Sequence, residues 1–193
     1  VAYDNSNRGL RGLSPVSSGK AGTAPRVREY AINTTNAALV AEGCLLSYDG
    51  TTGVILQASV TTGRPHTLGV AANTPATGDS VVKVFDDPDQ EYVVPIDGTI
   101  TTTVIANMPG LFTGVVSNTR NATTLRAKTR LDISAVTSAA LVTQGDLIQI
   151  IRMEDIVGQT NSGTNPTSLN AQVRVRIAPH AHIYASSAQL RNT

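Results

Sequence analysis

The residues with the chemical character to form a site are few and scattered. Asp86, Asp87, Asp89 and Glu91 place four carboxylates in one short run, and a hard cation such as Ca²⁺ is held by just such clustered oxygens. Pro88 interrupts that run, however, and no glycine stands where a calcium loop turns sharply. The expectation is an acidic surface turn meeting a basic partner. His180 and His182 alternate near the C-terminal end, so on a strand both imidazoles share one face and could ligate a metal. The third histidine, His66, is remote in sequence, and strand-end packing is the favoured role for the pair. Cys44 lies inside an apolar run, where a free cysteine acts as a small buried hydrophobe. A Cys/His nucleophile drawing on His66 or His180 is the weaker alternative. No serine elbow, phosphate loop or zinc-protease motif occurs, so the expectation is a non-enzymatic chain with no cofactor and no metal.

Two stretches carry cations in register. Arg126, Lys128 and Arg130 alternate with Leu125, Ala127, Thr129, Leu131 and Ile133, and Arg174 and Arg176 alternate with Val173, Val175 and Ile177. Each pattern is that of a strand with one apolar and one basic face. Single-strand binders interleave aromatics with such cations to stack bases, and none are interleaved here. The basic faces are therefore expected to meet an acidic protein patch, including the 86–91 cluster of a neighbouring copy, and not nucleic acid directly.

The elements that must position these groups read as β-structure. The 193 residues carry a net charge of +1, no tryptophan and 4% aromatics. That charge provides no global pull toward nucleic acid or an anionic membrane. A single cysteine excludes an internal disulfide, and no apolar run approaches the roughly 20 residues that span a bilayer as a helix. The opening VAYDNSNRGL lacks the hydrophobic core of a signal peptide. The expectation is a chain that is not exported, in which the Asn33 and Asn121 glycosylation triplets have no meaning. From Arg26 onward, short Val/Thr-rich runs recur about every 8–12 residues between Gly, Asp, Asn and Pro turns, as in a sandwich or small barrel. RVREYAI, VILQASV, TLGVAAN, VVKVF, EYVVPI, residues 99–105, LFTGVVS, GDLIQIIRM and AQVRVRI read as strands. The pairs Asp49-Gly50 and Asp97-Gly98 read as turns. Pro95 within a strand argues for an edge or bulge, and the alanine-rich stretch 135–144 for a short helix. Residues 159–170 read as a loop.

Residues 1–25 differ in texture. They are Gly/Ser/Pro-rich and basic, with Arg8, Arg11 and Lys20 against Asp4, and Tyr3, Leu10, Leu13 and Val16 are too sparse for a core. Alone in water such a segment is expected to be disordered. It reads either as a floppy terminus or as an extended arm that orders along a neighbour. The organisation expected is all-β: an arm over 1–25, a β-barrel or sandwich module over 26–106 and a second β-rich module over 107–193.

The phrases EGCLLSYDGTTGVILQAS followed by LGVAAN, VFDDPDQEYVVPIDG and RVRIAPHAHIY resemble those of tailed-bacteriophage capsid decoration, or cement, proteins. The resemblance covers most of 26–193. It implies small β-barrel subunits, often homotrimers, made in the bacterial cytoplasm and bound to the major capsid protein on the outer surface of the virion. Tyr3, Arg8, Leu10, Arg11, Leu13 and Lys20 are then the candidate capsid or neighbour contacts. Asp86, Asp87, Asp89 and Glu91 become candidate inter-subunit partners for Arg126, Lys128, Arg130, Arg174 and Arg176. Neither nucleic acid nor membrane is an expected partner. A tail, neck or head-fibre component shares this composition, and a carbohydrate or host-attachment module is less favoured because sugar-stacking aromatics are scarce.

Overall fold

The computed structural model describes residues 12–16, 25–49, 53–56, 67–98, 100, 107–108, 110–138, 147–153 and 172–183. These residues form an all-β protein whose one short helix, α1 (Thr34–Ala37), is a single turn. Asn33 caps that turn, its side-chain oxygen accepting from the Asn36 backbone N–H at 2.8 Å. The polar Asn-Thr-Thr-Asn break thus became a capped turn of helix.

The first sheet runs in the order β2 (Val27–Ala31), β6 (Val81–Phe85), β5 (Thr67–Ala71), β3 (Leu45–Asp49), β4 (Gly53–Leu56). Strands β3 and β4 pair as the antiparallel hairpin expected around Asp49-Gly50. In β6, Val82 and Val84 point inward while Val81 and Lys83 face solvent, the alternation of a sheet with one buried face. Every residue of β5 is buried, and at Gly69 an added Cβ would stand 2.1 Å from the Phe85 carbonyl oxygen. Only glycine allows β5 and β6 to approach so closely. The sheet curls until its edges meet at one parallel bridge, Ile32 to Val54. Beside that bridge Gly53, at φ +80°, would place a Cβ 2.5 Å from the Ala31 carbonyl oxygen. A single bridge rather than a continuous ladder joins the edges.

The second sheet runs β1 (Ser14–Pro15), β7 (Glu91–Pro95), β13 (Gln172–Ile177), β12 (Ile148–Met153), β8 (Leu111–Thr113), β11 (Thr137–Ser138). Strand β13 buries Val173, Val175 and Ile177 as its alternation predicted. Strand β12 lies between β13 and β8, with a register shift between Ile150 and Arg152. Pro95 lies past the two-residue reach of β1, so its missing N–H interrupts no ladder on that side. Strand β9 (Val115–Val116) continues just beyond β8 and pairs with β10 (Arg130–Leu131). Leu131 then bridges to Ile96, and its carbonyl accepts from the Asp97 N–H at 3.1 Å. This sheet also bends back toward its own start. Among the described residues no helix is long and apolar enough to cross a membrane.

Several expectations need correcting. The divide at residue 106 does not follow the sheets: Glu91–Pro95 pairs with Gln172–Ile177 across it. Strand order is set by long-range burial, which a linear division cannot see. Residues 1–25 are not uniformly an arm either. Leu13 is 1% exposed and belongs to the main hydrophobic cluster with Tyr92, Val94, Ile96 and Val173. Its N–H donates to the Gly43 carbonyl oxygen, and Ser14 and Pro15 pair with Val93 and Tyr92. A buried leucine of this kind cannot serve as a contact for a neighbour. Within 124–133, Ala127, Thr129 and Leu131 are buried, but Leu125 is 52% exposed and only Arg130–Leu131 is strand. Thr137–Ser138 is extended where a helix over 135–144 was an alternative. Residues 139–144, all of the strand expected at 99–105 except the buried Ile100, residues 57–60 and the loop at 159–170 lie outside the described residues.

The two sheets share their packing. Leu45 and Val70 of the first contribute to the cluster of the second, and Ala127 contributes to that of the first. The chain after β13 returns to β5, where the Thr67 N–H donates to the Ala181 carbonyl, the Ile183 N–H donates to the Thr67 carbonyl and His182 bridges Thr67. If Leu13 locks this arrangement, Leu13→Ala should lower unfolding free energy by about 3 kcal/mol, measured by urea denaturation. A loss below about 0.5 kcal/mol, the range of a surface substitution, would contradict the assignment.

Candidate functional site

The acidic run lies where the chain passes from β6 into β7, and its four carboxylates have different fates. Asp86 is fully buried. One oxygen accepts from Arg26 Nε at 2.7 Å and the other from the Tyr30 hydroxyl at 2.6 Å. Arg26 also donates to the Asp86 backbone carbonyl at 2.8 Å, and Arg28 Nε stands 3.6 Å from the carboxylate. This hydrogen bond to Asp86 raises the pKa of the Arg26 guanidinium. Glu91 pairs within the chain with Arg174 at 3.3 Å, and Arg176 donates to the Gln149 side chain at 2.5 Å. Asp86, Glu91 and Arg174 are thus tied inside one molecule, which corrects their assignment as inter-subunit partners. Asp87 accepts from the Asp89 N–H at 3.0 Å and shapes the turn, leaving the Asp89 side chain exposed. Among the described residues no cluster of three or more Asp, Glu, His or Cys side chains is arranged to hold a metal.

The basic face at 126–130 is differently placed. Arg126, Lys128 and Arg130 are all exposed, and none forms a salt bridge among the described residues. They ride on a rigid hairpin. Asn121 accepts through its side chain from the N–H groups of Thr123 (2.9 Å) and Thr124 (3.0 Å). Its own N–H donates to the Arg126 carbonyl, and its carbonyl accepts from Leu125. Leu125 is held at φ +56°, a left-handed conformation that a residue with a Cβ rarely adopts. The hairpin is moored to the body by Asn118, whose amide bonds both the N–H (2.9 Å) and the carbonyl (2.8 Å) of Leu45. A further bond runs from the Arg120 N–H to the Leu39 carbonyl. Beside the tip, Glu42, Thr74, Thr124, Leu125 and Arg126 line a shallow, open cavity of about 220 Å³.

The N-terminal segment enters the body at the root of this hairpin. Gly12, at φ +68°, would set a Cβ 2.5 Å from the Gly43 carbonyl oxygen and 3.0 Å from the Ala127 side chain. Leu10, Arg11 and the other arm candidates Tyr3, Arg8 and Lys20 lie outside the described residues, as does His66.

The remaining reactive groups serve the core. Cys44 is buried, and desolvation pushes its thiol pKa up, away from nucleophilic use. Phe112 stacks at a tilt on His180, with ring centroids 5.9 Å apart. His182 is 3% exposed at the junction of the two sheets. Desolvation lowers its pKa to about 4, with Asp86, Asp87 and Asp89 opposing and Arg26 adding to the shift. Sequence reasoning missed Arg26, Arg28 and Tyr30 as the partners of Asp86, although their spacing puts all three on one side of a strand. It also missed Asn118, for which no sequence signal exists.

Two outcomes follow. Removing the carboxylate in Asp86→Ala should cost about 3 kcal/mol, since two charge-assisted hydrogen bonds go while the half-exposed Arg26 can rehydrate. Equilibrium denaturation should register it, and a change under about 0.5 kcal/mol would refute a locking role. For His182, the unfolded chain takes up its proton near pH 6.5 and the folded chain only near 4. Its contribution is therefore complete above pH 6.5 and is lost as pH falls toward 4, by up to about 3 kcal/mol. The stability–pH curve of His182→Gln should be flatter than wild type across that window, and parallel curves would refute the assignment.

No family model, curated protein or solved structure matches this chain.

Proposed function

We propose that this chain is a non-catalytic structural protein of a tailed-phage virion, binding the outer capsid surface through the major capsid protein and stabilising the coat lattice. The single observation that carries the proposal is the anchored root of the N-terminal segment. Leu13 is locked in the core and Ser14–Pro15 pair with β7, which fixes this part of the N-terminal segment to the body. A rigid body with a tethered extension can hold two places on a lattice at once, and the second contact forms at high effective concentration. The reactive side chains are consistent with this role. Asp86 fastens a strand joint, Cys44 fills a core and His182 packs at a sheet junction, all of which favour a scaffold over a catalyst. A protein that binds assembled shell but not its separated parts stabilises the shell by mass action. Repetition at symmetry positions multiplies the effect, and a homotrimer on three-fold axes fits such a lattice.

Quantitative mass spectrometry of gradient-purified particles, scaled to the coat protein, tests the proposal. The expected stoichiometry lies between about one copy per three coat subunits and about one each. About a dozen copies per particle would instead indicate a neck or tail part, and absence from particles would refute a virion role.

A further inference from the structure

We infer that the hairpin 117–130 is the docking knob of this protein, and that its partner is a carboxylate-rich surface of a different protein with an apolar notch for Leu125. Taking that surface to be the coat protein rests on the lattice-binding function proposed above.

Three features converge on the hairpin. The first is an apolar side chain held in the open: Leu125 is 52% exposed at a backbone angle of +56°. Glycine or asparagine would occupy that position without strain, so leucine there is costly for the free fold and gains nothing from burial. Such strain is most simply accounted for by a contact that the isolated chain does not contain. The second is charge. Arg126 lines the same open cavity as Leu125, and Lys128 and Arg130 follow it on the exposed side of the segment, while Ala127, Thr129 and Leu131 anchor it inward. A central apolar anchor with a cationic rim is the arrangement of an interface hot spot, and it calls for acidic groups opposite. The third is preorganisation. The Asn121 turn and the Asn118 clamp on Leu45 fix the hairpin before any partner arrives, so little ordering entropy is lost on docking.

Charge selects the kind of partner: the three exposed cations of the hairpin suit an acidic surface. A second copy of this chain supplies that acidity poorly. Among the described residues Asp86 is buried against Arg26 and Tyr30, Glu91 is paired with Arg174, and Glu29 stands 3.9 Å from Lys83. Asp79 and Asp87 accept from the backbone of their own turns, so that the exposed Asp89 is an isolated charge and not an acidic patch. Nucleic acid offers negative charge, but its phosphates give no seat to a leucine, and no aromatic flanks the cations to stack a base.

The test is co-sedimentation of purified full-length protein with expanded coat shells assembled without it, across a salt series. Wild type is compared with Arg126→Glu/Lys128→Glu/Arg130→Glu and with Leu125→Gly. The charge-reversed protein should keep the wild-type thermal midpoint and bind shells at least about tenfold more weakly. Leu125→Gly should bind more weakly while melting higher, because it removes both the anchor and the strain. A purely structural leucine would instead give a lower melting point with shell binding unchanged, and that result overturns the leucine's role as anchor. Wild-type binding by both variants overturns the inference and leaves the lattice function standing. Failure of wild type to bind any shell overturns that function and the inference with it. Two further results also overturn the inference. One is wild-type self-association that charge reversal abolishes, which would assign the knob to a second copy. The other is retention of duplex DNA at physiological salt, lost on reversal, which would assign it to nucleic acid.

Discussion

Much of this structure depends on one buried carboxylate. Between Phe85 and Glu91 the chain leaves one sheet and joins the other, and Asp86 sits at that crossing with no exposure to water. A lone charge there would be very unfavourable. Arg26 and Tyr30 make it tolerable, and in doing so they pin the otherwise exposed edge strand β2 to the crossing. The contact fastens the end of β6 to β2 at the point where the chain departs toward β7. Beyond it, β7 pairs with β1 on one side and β13 on the other.

A chain with so few aromatics has to pack by other means. Tyr92 is the largest fully buried side chain among the described residues, and burial pushes its phenol pKa up. Around it the core is built from valine, leucine and isoleucine drawn from both sheets. Leu45 and Val70 pack with the second sheet although they belong to the first, and the segment around Leu13 is wedged between Gly43 and Ala127. Close backbone approaches at Gly53 and Gly69 tighten the first sheet, and Leu45, Val70 and Ala127 carry its packing across into that of the second. Sharing of this kind raises the fraction of apolar surface removed from water beyond what either sheet could reach alone.

What could be read in the sequence was local. The alternation Val173-Arg174-Val175-Arg176-Ile177 described β13 correctly, and Asp49-Gly50 described a hairpin correctly, because period and turn chemistry act over a few residues. The inward set Ala127, Thr129, Leu131 was legible for the same reason. Leu125 broke that pattern because a turn capped by Asn121 reversed its direction, a choice made by side-chain hydrogen bonds and not by hydropathy. Leu13 was illegible because one leucine among serines and glycines carries no period, and its burial depends on partners at Gly43 and Tyr92. Nor does the acidic run reveal which of its carboxylates goes inside. Only the distant Arg26 and Tyr30 select Asp86, and that selection is a tertiary event.

The pairing of β7 with strands from both ends of the chain has a consequence for synthesis on the ribosome. Every strand of the first sheet lies within Val27–Phe85, so those pairings become available once that stretch has emerged. Strand β7 follows at once and can receive Ser14 and Pro15, but its other neighbour spans Gln172–Ile177. Until that last strand is made, one side of β7 offers unpaired amides and carbonyls to any extended chain nearby. Late, long-range closure of this kind slows folding and opens a period in which polysome neighbours can exchange strands. The vulnerable interval is therefore set by translation of the roughly eighty residues between the two strands, at about 5–20 residues per second.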